Sequence, residues 1–391
     1  MEGRDGEPGD LFGMRKTIAV LGLGLVGQFI ASELAKNDDY IIHGYDNNFN
    51  YRKSPLYDSP RFLPFDVDLT NSNELDSIIN VSDIIVSAVP GFMGGDVLLA
   101  AIKAGKPIVD ISFSPVDPMA WNKFAKQTGS IAIVDCGVAP GMSNLFAGKA
   151  ASEMTDPQEL TIMVGGLPVK RTWPFDYRLV FSLTDVIEEY TRPCRYIENG
   201  HEVIRPALSD AEYVDFPKVG TLEAFNTDGL RTLAKTMAIN TMKEKTLRYP
   251  GHIEKMRVFR EAGFFDDVDI KIGENTMNPR KLTEKLFAKC WNRPAGEEEF
   301  TILRVDCKGV NNSVPRRIIY DLYDRTDPQG RTSMARTTGL PAVVMTNIIL
   351  KYGWTKPGVY PLEILGRDTL ISETLIAELR AYGIEINRQD L

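Results

Sequence analysis

The chain is poor in the residues that staple or metallate small folds. It has four cysteines and three histidines in 391 residues. Cys136, Cys194, Cys290 and Cys307 stand far apart with no CxxC pair, which excludes a disulfide framework and a zinc site. No apolar run approaches the roughly 18 uncharged residues of a transmembrane helix. The longest, Ile18–Val26 and Ile84–Val89, are short and broken by glycine or polar residues. No basic stripe stands out, and 45 Lys+Arg against 53 Asp+Glu leave a formal charge of −8, so nucleic acid is not an expected partner. There is no GxSxG, no P-loop, no internal repeat and no low-complexity tract. Residues 1–13, MEGRDGEPGDLFG, lack the apolar centre of a signal peptide and read as a disordered leader, so a cytoplasmic protein is expected.

What is present is a long soluble polypeptide with room for two or three domains. From Lys16 short apolar runs alternate with helix-length segments. Thr17–Leu21 is a β-branched strand ending in Gly22, and Val26–Ala35 carries Val26, Phe29, Ile30 and Leu34 on one helical face. Tyr40–Tyr45, Asp83–Val89, Pro107–Ile111 and Ile131–Val134 continue the pattern, which predicts βαβ units on a parallel sheet. After Cys136 the rhythm changes. Leu160–Val164, Val268–Ile272, Phe300–Cys307 and Ile318–Tyr323 alternate apolar and polar residues, as strands with one solvated face do. Gly339–Leu350 then returns to a helical pattern. The expected fold is α/β: a Rossmann domain over residues 14–140, an inserted α+β domain with a mixed sheet over 141–332, and a C-terminal segment, 333–391, packing back on the first domain.

Gly22-Leu23-Gly24-Leu25-Val26-Gly27 is a GxGxxG between a predicted strand and a predicted helix. Gly22 permits the tight turn, Gly24 admits a pyrophosphate, and Gly27 lets helix and strand pack closely, while the amides at Leu25 and Val26 open the helix toward the phosphates. Asp46, about 20 residues on, ends the second strand and suits the ribose hydroxyls of NAD. NADP is possible, since Arg52 and Lys53 could offset the repulsion of its extra phosphate. Ala88, Val89 and Pro90 follow the fourth strand, where an open parallel sheet binds its ligand. Asp110 ends the next strand, near the nicotinamide or capping a helix. In Asp135–Asn144 two glycines flank Pro140 at the mouth of a cleft, and Cys136 is either a buried filler or a participant. Glu223, Asn226, Arg248 and His252 lie on turn-rich backbone. Arg248 suits a substrate carboxylate, and His252 titrates in the range for proton transfer. His43 and His201 read as structural, and scattered histidines give no metal site.

The motifs CGVAPGMSN, EAFNT, TLRYPGH and SMARTTGLPA resemble those of the saccharopine dehydrogenase and lysine 6-dehydrogenase family, with Tyr177–Tyr190 nearer the latter. The resemblance runs from about Lys16 onward. It implies a Rossmann domain, an inserted domain that often dimerises, and mechanistic roles for Asp110 and Cys136. The expected activity is NAD-dependent oxidation of a C–N bond in the side group of lysine or a lysine derivative, yielding 2-aminoadipate 6-semialdehyde and ammonia. The alternatives are a glutamate-forming saccharopine dehydrogenase and a non-catalytic NAD-binding sensor. Saccharopine carries three carboxylates and calls for converging cations, for which Arg178, Arg231 and Arg248 are candidates. The expected partners are a small-molecule amino acid and a second copy in a homodimer, with no nucleic acid and no membrane.

Overall fold

The computed structural model describes residues 15–47 and 54–391. The leader and the Arg52–Lys53 pair lie outside the described residues. Seven parallel strands form the first sheet, in the spatial order Gly358–Pro361, Ile131–Val134, Ile108–Asp110, Ile84–Ser87, Lys16–Leu21, Tyr40–Asp46 and Phe62–Asp66. This is a doubly wound order, whose path reverses direction beside Lys16–Leu21 and opens a crevice at the carboxyl ends. Alternate residues feed two cores: Ile18 and Val20 join one, Ala19 and Leu21 the other. Helices cover both faces, so the inner strands are wholly buried, as their continuous β-branched runs require.

The second sheet has nine strands. Asp156–Pro168 and Thr241–Arg248 run parallel at its centre and the other pairings are antiparallel. Its longest hairpin pairs Glu299–Asn311 with Val314–Arg325 across Asn312 and Ser313, both at positive φ. That turn conformation matches the strand twist. Helix Met142–Ser152 joins the domains and is buried over ten of its residues. Phe146 on it stacks on Tyr320 of the second sheet at 4.7 Å between centroids.

Two expectations differ from the structure. Only Ile270–Ile272 of the Val268–Ile272 run is a strand, and it pairs with Asn275–Met277 in a separate exposed hairpin rather than in the large sheet. The tail also divides. Helix Ser333–Lys351 packs beside helix Leu25–Leu34, and Gly358–Pro361 extends the Rossmann sheet. Glu385–Asp390 instead pairs with Val314–Arg325 in the second sheet, because Ile386 buries there and Arg388 reaches Glu153 at 2.6 Å.

Candidate active site

The loop between strand Lys16–Leu21 and helix Leu25–Leu34 is shaped by its glycines. Gly22 has φ +87, and a Cβ there would stand 2.6 Å from the Ala88 carbonyl oxygen. A Cβ on Gly27 would lie 1.8 Å from the Gly22 oxygen, so the helix can approach its strand only where this position has no Cβ. At Gly24 a Cβ would meet nothing within 4 Å. That open flank lies against the first helical amides of Leu25, Val26 and Gly27, which have no intrahelical acceptor. The residues fit a dinucleotide pyrophosphate. Asp46 accepts a hydrogen bond from the Leu23 amide at 2.7 Å, which places its carboxylate beside the loop at the end of the second strand. On the other wall the Ala88 amide donates to Leu21 O, Val89 is buried, and Pro90 caps the helix Gly91–Lys103.

Asp110 lies at the same sheet end and is 3% exposed. Burial pushes its carboxyl up to about 7, against hydrogen bonds that include those from the Ser112 amide and hydroxyl. The Cys136 amide donates to Asp110 O at 2.9 Å. Burial, then the charges of Asp110 and Asp135, push the Cys136 thiol well up, so it is no thiolate at neutral pH. Chemistry at this end therefore has one carboxyl able to exchange a proton near neutrality and one neutral thiol.

The other candidates lie in the second domain. Arg248 ends strand Thr241–Arg248 and is 2% exposed. Its Nη2 donates to Glu189 at 2.5 Å and its Nη1 to Leu247 O at 3.0 Å, while Nε has no partner. Its Cζ lies 4.6 Å over the Tyr177 ring. Glu244, on the same face of that strand, is buried and pushed up to about 8, with the Thr227 hydroxyl donating to it. Glu223 accepts from the Gly251 amide; Asn226 Nδ2 donates to Ser209 and Asp210, while its buried Oδ1 has no partner.

His252 corrects the sequence reading. It lies within an aromatic core with Tyr177, Tyr190 and Trp291. Its Nδ1 is 2.9 Å from Phe175 O, which can only accept, so Nδ1 carries the hydrogen and Nε2 accepts from the Tyr190 hydroxyl at 3.0 Å. Burial, then the Arg248 charge, pull it down to about 3. It is a neutral structural imidazole rather than a proton relay. Each of the three candidate arginines is held by a carboxylate of the protein. Arg178 pairs with Glu297, Arg231 with Asp135 across the domain junction, and Arg248 with Glu189. Sequence reasoning missed Tyr177, Glu189 and Glu244. The first two stand within the segment 177–190, but no periodicity marks which of its residues turn toward Arg248. Among the described residues no group of three His, Cys, Asp or Glu residues could hold a metal ion, and no helix is long and apolar enough to cross a membrane.

Comparison with known proteins adds the chemistry class. Residues 18–133 match the saccharopine dehydrogenase NADP binding domain and residues 137–384 the saccharopine dehydrogenase C-terminal domain. The protein is 22% identical to carboxynorspermidine synthase of Vibrio cholerae, over 91% of its own length and 94% of that enzyme. It is 23% identical to the NADP(+), L-glutamate-forming saccharopine dehydrogenase of Schizosaccharomyces pombe, over 64% of its own length but 58% of that enzyme. The apo L-Glu-forming saccharopine dehydrogenase of Saccharomyces cerevisiae superposes with a TM-score of 0.80 at 17% identity, covering 96% of this protein and all of that one. This last likeness establishes the fold.

Proposed function

We propose that this protein, which belongs to the saccharopine dehydrogenase family and is an NAD(P)-dependent oxidoreductase acting on CH–NH2 or CH–NH groups, oxidises the terminal C–N bond of lysine or a close derivative. The observation that carries the choice is the pairing of the arginines within the protein. Each of Arg178, Arg231 and Arg248 is held by its own carboxylate, and among these three only Arg248 keeps a buried N–H without a partner. One carboxylate is thereby provided for, not the three of saccharopine. Lysine would yield 2-aminoadipate 6-semialdehyde and ammonia.

When bound, the nicotinamide takes the hydride from the carbon bearing the amine. The protein's part is to fix geometry and move protons. Gly22, Gly24 and Gly27 set the phosphates, Asp46 the ribose, and Arg248 the substrate's α-carboxylate. The amine must be uncharged before hydride leaves, and Asp110, poised near 7, is the group at this sheet end suited to take its proton. The neutral Cys136 thiol beside it packs the site without competing for charge. Water then adds to the imine and releases ammonia. Asp46 favours NAD, while the match to an NADP binding domain favours the phosphorylated form. We take NAD as the cofactor, with NADP as the competing outcome of the titration.

The units are proposed to be 14–140, 141–332 and 333–391, in a cytoplasmic homodimer joined through the second domain. The exposed Ile270, Ile272 and Met277 of the small hairpin support that contact. A second reading, synthesis of carboxynorspermidine, is favoured by the near end-to-end alignment with carboxynorspermidine synthase. A turnover screen with lysine, saccharopine and carboxynorspermidine, each with NAD and NADP, tests these readings. Fastest turnover of saccharopine or carboxynorspermidine would displace lysine.

A further inference from the structure

Three buried hydrogen-bond donors near Arg248 have no acceptor: Arg248 Nε, the Tyr177 hydroxyl and Trp291 Nε1. Buried donors without partners are rare in folded proteins, and three around one ring call for an explanation. These three border one ring. Arg248 Cζ lies 4.6 Å over the face of Tyr177, and Trp291 meets Tyr177 edge-on with centroids 5.0 Å apart. Tyr177 and Trp291 are 1% and 0% exposed. Tyr177 lies between the strand Asp156–Pro168 and the helix Leu183–Thr191, in a stretch with neither helix nor strand.

We infer that Arg248 Nε, the Tyr177 hydroxyl and Trp291 Nε1 form a closed subsite for one carboxylate group of an amino-acid substrate. This rests on reading the protein as an amino-acid dehydrogenase. Two N–H donors, one of them permanently charged, with a hydroxyl that can also donate, favour an oxyanion over an ammonium. The remaining arms of Arg248 are fixed on Glu189 and Leu247 O, so the guanidinium cannot turn away from the subsite. Burial raises the Glu189 carboxyl, which eases the arrival of a second carboxylate at the same cation. The neutral His252 holds the Tyr190 hydroxyl and adds no competing charge.

The inference makes Tyr177 a specificity residue that contributes nothing through its hydroxyl to the free protein. Calorimetric binding of L-lysine, L-saccharopine and 1,5-diaminopentane to the full-length protein, with NADH or NADPH present, tests it. Tyr177→Phe should leave the melting temperature unchanged or higher and weaken the amino acids about tenfold. It should not alter binding of the diamine, which lacks a carboxylate. Arg248→Lys keeps the charge but loses Nε, and should weaken the amino acids at least as much. If saccharopine rather than lysine binds and responds to Tyr177→Phe, the subsite stands and the lysine reading falls. A lower melting temperature in Tyr177→Phe would mean that the hydroxyl has a partner in the folded protein, and would overturn the inference. So would unchanged amino-acid binding, equal weakening of the diamine, or no binding of either amino acid to the wild type.

Discussion

Asp110 offers the most direct test of the site, because its environment sets both stability and rate. Its carboxyl is raised from 3.8 to about 7, chiefly by burial. A raised acid binds its proton more tightly in the folded state than in the unfolded one. Below about pH 3 both states are protonated and the group is neutral to stability. As pH rises toward 7 the unfolded state ionises freely while the folded state resists, and stability falls. About three pH units at about 1.4 kcal/mol each give an upper bound of about 4 kcal/mol lost by pH 8. Asp110→Asn keeps the shape and the acceptor for the Ser112 amide but cannot ionise. It should exceed the wild type by only about 1 kcal/mol at about pH 4.5 and by as much as about 4 kcal/mol at pH 8, read from denaturant midpoints. The same variant should lose turnover, and the wild-type rate should rise with pH through about 7. A stability difference independent of pH would refute the buried ionisation. Full activity in Asp110→Asn would refute its place in proton transfer.

Gly24→Ala should fold normally, since the new Cβ meets open space, yet lower dinucleotide affinity about tenfold by fluorescence titration. Gly27→Ala should instead cost stability, because its Cβ would lie 1.8 Å from backbone. Asp46→Ala should narrow the preference for NAD over NADP, and should also cost about 1 kcal/mol through the lost bond to the Leu23 amide. A wild type that already prefers NADP would remove the ribose assignment. His252→Ala should destabilise by about 2–4 kcal/mol, from lost aromatic packing and two lost hydrogen bonds, while the pH dependence of the rate near neutrality keeps its shape. An altered acid limb would restore the relay that the structure argues against.

The Rossmann half was legible because its signals are local. A glycine turn between a β-branched strand and a helical face, followed by Asp46, specifies a loop whose shape depends on few distant residues. Ile131–Val134 forms just where its apolar run predicts. The second half was harder. The short alternating runs at Leu160–Val164 and Ile318–Tyr323 marked strands but not their length, since the strands run on through exposed polar residues and, in Asp156–Pro168, through the buried Gly165 to Pro168. The Val268–Ile272 run alternates equally well, yet its hairpin stays outside the large sheet, and periodicity does not report what a strand pairs with. The site followed the same division. Arg248 and His252 stand four residues apart across a Pro-Gly turn, and by sequence both have equal claim to chemistry. Burial among Tyr177, Tyr190 and Trp291 separates them: the permanent cation survives desolvation and the weak base does not. Those aromatic neighbours come from segments some 40 to 75 residues away, beyond any local pattern.

The splitting of the tail sets the order in which the molecule can be built. Residues 358–361 supply the outer strand of one sheet and residues 385–390 that of the other. During synthesis the first sheet therefore lacks its outer strand until residue 361 has left the ribosome, and the second until residue 390 has. Arg388 then closes on Glu153, across a sequence separation of 235 residues. Neither half is a cassette that can be cut out and moved, and a nick near residue 355 would be felt in both sheets at once.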